Sequence, residues 1–116
     1  KYTPPGTGTG GGVKDWSTSE TLCDHTVNGE AVYRKLITRS GTDLADNNEN
    51  FAHGVTGIGS YRRVVFFLVS DGTSVYTFPY LDSGLTVTGT NVTSANHGTN
   101  WTGHDEITIG LEYSKA

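Results

Sequence analysis

The longest unbroken apolar run in the chain is VVFFLV, Val64 to Val69, and its six residues suit a buried strand but not a helix core or a membrane span. All of its residues except Leu68 are β-branched or aromatic, types that pack well on a pleated surface. Both faces of such a strand need cover, as in the centre of a sandwich. The rest of the chain agrees with a β reading. Thr occurs 18 times and Gly 16 times, Met is absent, and hydrophobic residues make up 34%. Thr loses rotamer freedom on a helix, and no ten-residue segment places apolar residues at helical spacing between caps. The 116 residues fit one domain.

From Trp16 onward turn signals recur every eight to twelve residues, the spacing of a sandwich or barrel rather than of βαβ units. Asn28-Gly29 predicts a type I′ hairpin between Thr21–Val27 and Glu30–Thr38, because both central residues tolerate positive φ. On the second strand Val32, Arg34 and Leu36 share one face and Tyr33, Lys35 and Ile37 the other. Neither face is purely apolar, which places the strand near an edge or a subunit contact. Ser40–Gly59 reads as an irregular excursion with a short strand around Asn50–His53. Arg62–Ser70 is the core strand, and Asp71-Gly72 turns the chain into Ser74–Leu81, which Pro79 pushes toward an edge or an early end. Leu85–Thr93 follows as one strand, with Gly89 a bulge or close-approach point. In the closing segment EITIGLEY, Ile107, Ile109, Leu111 and Tyr113 form one apolar face at period two. The fold class is therefore all-β, an antiparallel β-sandwich with little or no helix. Residues 1–15, KYTPPGTGTGGGVKD, read as a Gly/Thr/Pro-rich linker that buries too little apolar surface to order itself, ahead of a tip domain at 16–116.

Eight basic against twelve acidic residues leave a net charge of −4, which argues against a nonspecific grip on nucleic acid. No window suits membrane insertion. The single cysteine, Cys23, excludes an internal disulfide and a clustered-thiol zinc site, and is expected to be buried or half-buried. The first residue is Lys1 and nothing resembles a signal peptide, so the chain is expected to derive from a longer polypeptide.

The four histidines lack metal-ligand spacing: His97 and His104 lie seven apart, and Asp24 and His25 point to opposite faces of a strand. His53 is expected to be partly buried and bonded to nearby backbone. No nucleophile elbow occurs, and carboxylates such as Asp105 and Glu106 read as solvated loop groups, so neither catalysis nor a cofactor is expected. Binding is the better-supported chemistry. Sugars are held by aromatic faces beside Asn, Asp and His side chains, and the loop Ser94–Asp105 offers that set in Asn96, His97, Asn100, Trp101, His104 and Asp105. Trp101 has two readings, a displayed stacking surface or a core or inter-subunit plug. Tyr76 and Tyr80, in a stripe with Phe78, read as packing.

WSTSET at Trp16–Thr21, TVNGEAVYRKLI at Thr26–Ile37, AHGV at Ala52–Val55 and ITIGLEYSK at Ile107–Lys115 together resemble, in order and spacing, a module at the distal ends of phage and prophage tail-fibre and related receptor-binding proteins. Trp16 stands where that group usually has tyrosine and Thr26 where it has the hairpin tryptophan. Asn28 and Glu30 replace Asp and Lys around the turn glycine. The resemblance implies a jelly-roll-like β-sandwich tip on a homotrimeric fibre, joined to an upstream shaft, assembled in the bacterial cytoplasm and carried on the virion. It implies noncatalytic attachment to a bacterial surface receptor, a polysaccharide or an outer-membrane protein. The rival readings are a structural trimerisation cap, a head-fibre or decoration protein, and a carbohydrate-binding module of a tailspike depolymerase.

Overall fold

Strand β1 (Thr21–Val27) turns through Asn28 and Gly29 into β2 (Glu30–Arg39). Both turn residues hold positive φ, 53° and 80°, as a type I′ turn requires. The computed structural model describes residues 16–116, so the linker expected at residues 1–15 lies outside the described residues. The chain continues through β3 (Glu49–Ala52), β4 (Ile58–Ser70), β5 (Val75–Thr77), β6 (Gly84–Val87), β7 (Asn91–Ala95) and β8 (Glu106–Lys115), with no helix among the described residues. Five strands form one sheet in the order β1-β2-β8-β4-β5, and three form a second in the order β3-β7-β6. Every pairing is antiparallel.

The last strand occupies the centre of the larger sheet. β8 pairs with β2 on one side and β4 on the other, and Ile107, Ile109, Leu111 and Tyr113 all lie on its inner face, buried. Phe67 and Val69 of β4 extend that surface, and the smaller sheet closes over it with Phe51 and Val92. Phe51 meets Phe67 edge to face, with centroids 5.5 Å apart.

β2 lies near an edge, as its mixed faces suggest, with only β1 outside it in the sheet. Its inward cations reach across to the smaller sheet: Lys35 Nζ donates to the His53 carbonyl at 2.8 Å, and the Arg39 guanidinium pairs with Glu49 while lying 4.8 Å over the Phe51 ring. Two expectations need correction. The apolar run is not covered on both faces throughout. A register shift between Val64 and Phe66 leaves Val65 as the extra residue of a bulge, exposed, with Phe66 and Leu68 half-buried on the outer face. Leu85–Thr93 is two strands rather than one. Thr88 Oγ1 accepts the amides of Thr90 and Asn91 at 3.3 and 3.0 Å, folding Thr88–Asn91 into a hairpin turn around Gly89. The expected early end at Pro79 does occur, since β5 stops at Thr77 and lies on the sheet edge.

On the outer face, Phe66 lies across Gly110 of β8, and Trp16 meets the Phe66 ring edge-on at 5.0 Å. The Arg34 guanidinium sits 4.4 Å from the Trp16 centroid and donates to Glu112 at 2.8 Å.

Candidate functional site

Two loops are stitched together at the end of the sandwich where β8 begins. The His97 amide donates to the Asn47 carbonyl at 3.0 Å, the Asn47 amide to the Gly98 carbonyl at 2.7 Å, and the Leu44 amide to the His104 carbonyl at 2.9 Å. Asn47, Asn96 and Asn100 hold φ of 67°, 60° and 73°, a conformation that asparagine adopts more readily than bulkier residues. The polar composition that marks 96–105 as a loop is thus also what lets the chain turn sharply enough to fold back on 44–48.

His97 is completely buried at the root of this arrangement. Its Nε2–H donates to the Ala45 carbonyl at 2.6 Å, which leaves Nδ1 to accept from Ser94 Oγ at 2.8 Å. Both ring nitrogens are satisfied inside the protein, so His97 ties loops together and does not face a ligand. His53 does the same between β3 and the turn after β6: Nε2 bonds the Thr88 carbonyl at 3.0 Å and Nδ1 accepts the Val55 amide at 3.1 Å. Cys23 is buried, and burial pushes its thiol pKa up.

Trp101 caps the core at this end and is only 4% exposed. Its indole N–H lies 3.2 Å from both the His97 and Gly98 carbonyls. Its ring meets Tyr76 at 5.3 Å and 80°, Tyr80 at 5.4 Å and 75°, and His104 at 5.3 Å and 90°. Tyr76 and Tyr80 are themselves 5.3 Å apart at 90°. Edge-to-face contact throughout gives a rigid aromatic corner in which each ring fixes the others.

The corner opens into a pocket of about 200 Å³ lined by Tyr76, Tyr80, Thr99, Asn100, Trp101 and His104. Asn100 and Thr99 are exposed at its mouth, while both tyrosines and His104 are half-buried. His104 Nδ1 lies 3.2 Å from the Thr102 carbonyl, and its Nε2 lies 3.9 Å from an Asp71 carboxylate oxygen. The other oxygen of Asp71 accepts the Ser74 and Thr73 amides at 2.7 and 2.8 Å, and these bonds hold its pKa below the ordinary carboxylate value.

Of the six loop residues singled out by sequence, Asn100, Trp101 and His104 line the pocket. Asn96 is exposed with its amide on Asn48 Oδ1 at 3.1 Å, His97 is buried behind Trp101, and Asp105 is half-buried beside His104 without lining the pocket. Trp101 is a core residue that shows the pocket only a margin of its ring, so the displayed stacking surface is not the geometry found. Tyr76 and Tyr80, read from sequence as packing, supply pocket walls. Their period-two spacing with Phe78 was the available signal, and Phe78 continues it inward, stacked 4.9 Å from Phe67. Among the described residues no three His, Cys, Asp or Glu side chains gather as metal ligands. The chain matches no protein-family model, no curated protein and no solved structure.

Proposed function

We propose that this protein is a noncatalytic glycan-binding module, acting as the receptor-binding tip of a homotrimeric phage tail fibre or related virion adhesin that attaches the particle to a bacterial surface. The observation that carries the binding reading is the aromatic corner of Tyr76, Tyr80 and Trp101, opening beside the side chains of Asn100, Thr99 and His104. Tyrosine faces cover the C–H patches of a sugar, and amide, hydroxyl and imidazole groups bond its hydroxyls. The pocket is smaller than the roughly 300–1,000 Å³ of drug-sized sites, a scale suited to one ring of a longer glycan. Weak binding at such a site becomes useful when three copies engage together, since tethering raises effective concentration without new contacts. The tail-fibre part of the reading rests on the four resembling segments, which cover most of β2 and β8 of the larger sheet.

A structural cap is the second reading, and the burial of Trp101 favours it, because the same rings also close the end of the core. Screening the protein on immobilised bacterial surface glycans and on whole cells distinguishes the two. Tyr76→Ala and Tyr80→Ala should each lower binding by about 2 kcal/mol, the scale of an interface hot spot, with the fold retained. Binding that is absent, or indifferent to both tyrosines, rejects the glycan site. Sedimentation showing a folded monomer at micromolar concentration rejects the trimer.

A further inference from the structure

The cations of the described chain are segregated from the pocket. No lysine or arginine occurs between Val64 and Ser114, a span that holds every residue lining the pocket and carries Asp71, Asp82, Asp105, Glu106 and Glu112. The fold keeps that separation in space. Arg34 and Arg63 stand opposite Glu112 on β8, and Arg62 stands opposite Tyr113. Glu112 is six residues along β8 from Glu106 at the pocket end, about 20 Å at the antiparallel strand rise. That exceeds the Debye length of about 8 Å at physiological ionic strength. Lys35, opposite Leu111, is committed to the His53 carbonyl, and Lys115 at the far end of β8 pairs with Glu20.

Arg39 is the exception, opposite Ile107 and so near the pocket end. It is consumed there by Glu49 and by the carbonyls of Thr42 and Asp43. Among the described residues the charges left around the pocket are acidic: Asp71 beside His104, Asp82 two positions past Tyr80, and Asp105 and Glu106 directly after His104.

We infer that the pocket takes uncharged sugars and rejects glycans bearing carboxylate, sulfate or phosphate groups. The inference rests on the glycan-binding reading above and names the ligand class for that site. An acidic sugar entering here meets carboxylates and finds, among the described residues, no guanidinium or ammonium to replace its lost hydration, whereas a neutral sugar needs only the aromatic walls and the amide and hydroxyl donors that are present.

The test uses an array of matched oligosaccharides, each neutral compound printed beside its sialylated, uronate-bearing and phosphorylated counterparts, probed with the whole chain and with Tyr76→Ala and Tyr80→Ala. Neutral compounds should bind in a tyrosine-dependent way with little change on adding salt, and their acidic counterparts should bind at least about tenfold more weakly. In the double variant Asp82→Lys, Glu106→Lys, both positions being exposed, the acidic counterparts should regain binding at low salt. Tyrosine-dependent binding that prefers acidic compounds overturns the inference and leaves the glycan site standing. Binding to neither class overturns both.

Discussion

The indole N–H of Trp101 sits 3.2 Å from the carbonyl oxygen of His97, a residue whose own imidazole is bonded at both nitrogens to Ala45 and Ser94. Trp101 is therefore held by a residue that is itself anchored to two different segments, and the pocket inherits its shape from that chain of bonds. Trp101→Ala should destabilise the fold by about 3–5 kcal/mol, the range for removing a large buried aromatic. A thermal melt indistinguishable from the parent protein would show that the corner does not support the core. Trp101→Phe keeps a ring but loses the donor, and a smaller loss of about 1–2 kcal/mol is expected.

The β1–β2 turn makes a cleaner test of backbone strain. Gly29 has φ of 80° and open space where a Cβ would stand, so a substitution there is opposed by conformation and not by packing. Gly29→Val should lower stability by about 1–2 kcal/mol in a denaturant titration. An unchanged midpoint would remove the type I′ assignment.

Gly110 is the opposite case. A Cβ at that position would lie 2.4 to 2.8 Å from three carbons of the Phe66 ring, while Gly110 has no positive φ to explain the glycine. Gly110→Ala should therefore destabilise by overpacking, about 1–3 kcal/mol. Because the obstacle is one side chain, the double variant Gly110→Ala, Phe66→Leu should lose less than the sum of the single changes. Additive losses would show that the ring is not what the glycine accommodates.

Acid should weaken the join between the sheets. Burial raises the pKa of Glu49, but the Arg39 guanidinium and the Ala45 amide outweigh it, and the net value lies below the ordinary 4.5. A carboxylate with a depressed folded-state pKa adds stability that is fully present above its unfolded value and is lost as pH falls through the folded one. Stability should therefore decline below about pH 4.5, with Glu20, also depressed by its bonds to Tyr113 and Lys115 despite burial, contributing to the same slope. Glu49→Gln should lower stability at pH 7 by about 1–3 kcal/mol and flatten the acid limb. An acid limb as steep as that of the parent protein would assign the pH dependence elsewhere.

The elements legible in the sequence are those whose signals are local. Asn28-Gly29 specifies its turn by backbone conformation alone, Pro79 ends β5 by lacking an amide donor, and the alternation Ile107, Ile109, Leu111, Tyr113 specifies a face of β8 without reference to any partner. Period two says which residues share a face but not which strand lies beside them. The central place of β8, the inward reach of Lys35 and Arg39 to the smaller sheet, and the meeting of Tyr76 and Tyr80 with Trp101 all depend on pairings between residues far apart in the chain. His97 shows the same division in one side chain. Sequence placed it in a polar loop, where exposed donors are the rule, and only the packing of 44–48 against 96–104 supplied the Ala45 carbonyl that, with the neighbouring Ser94 hydroxyl, makes an imidazole stable in the interior.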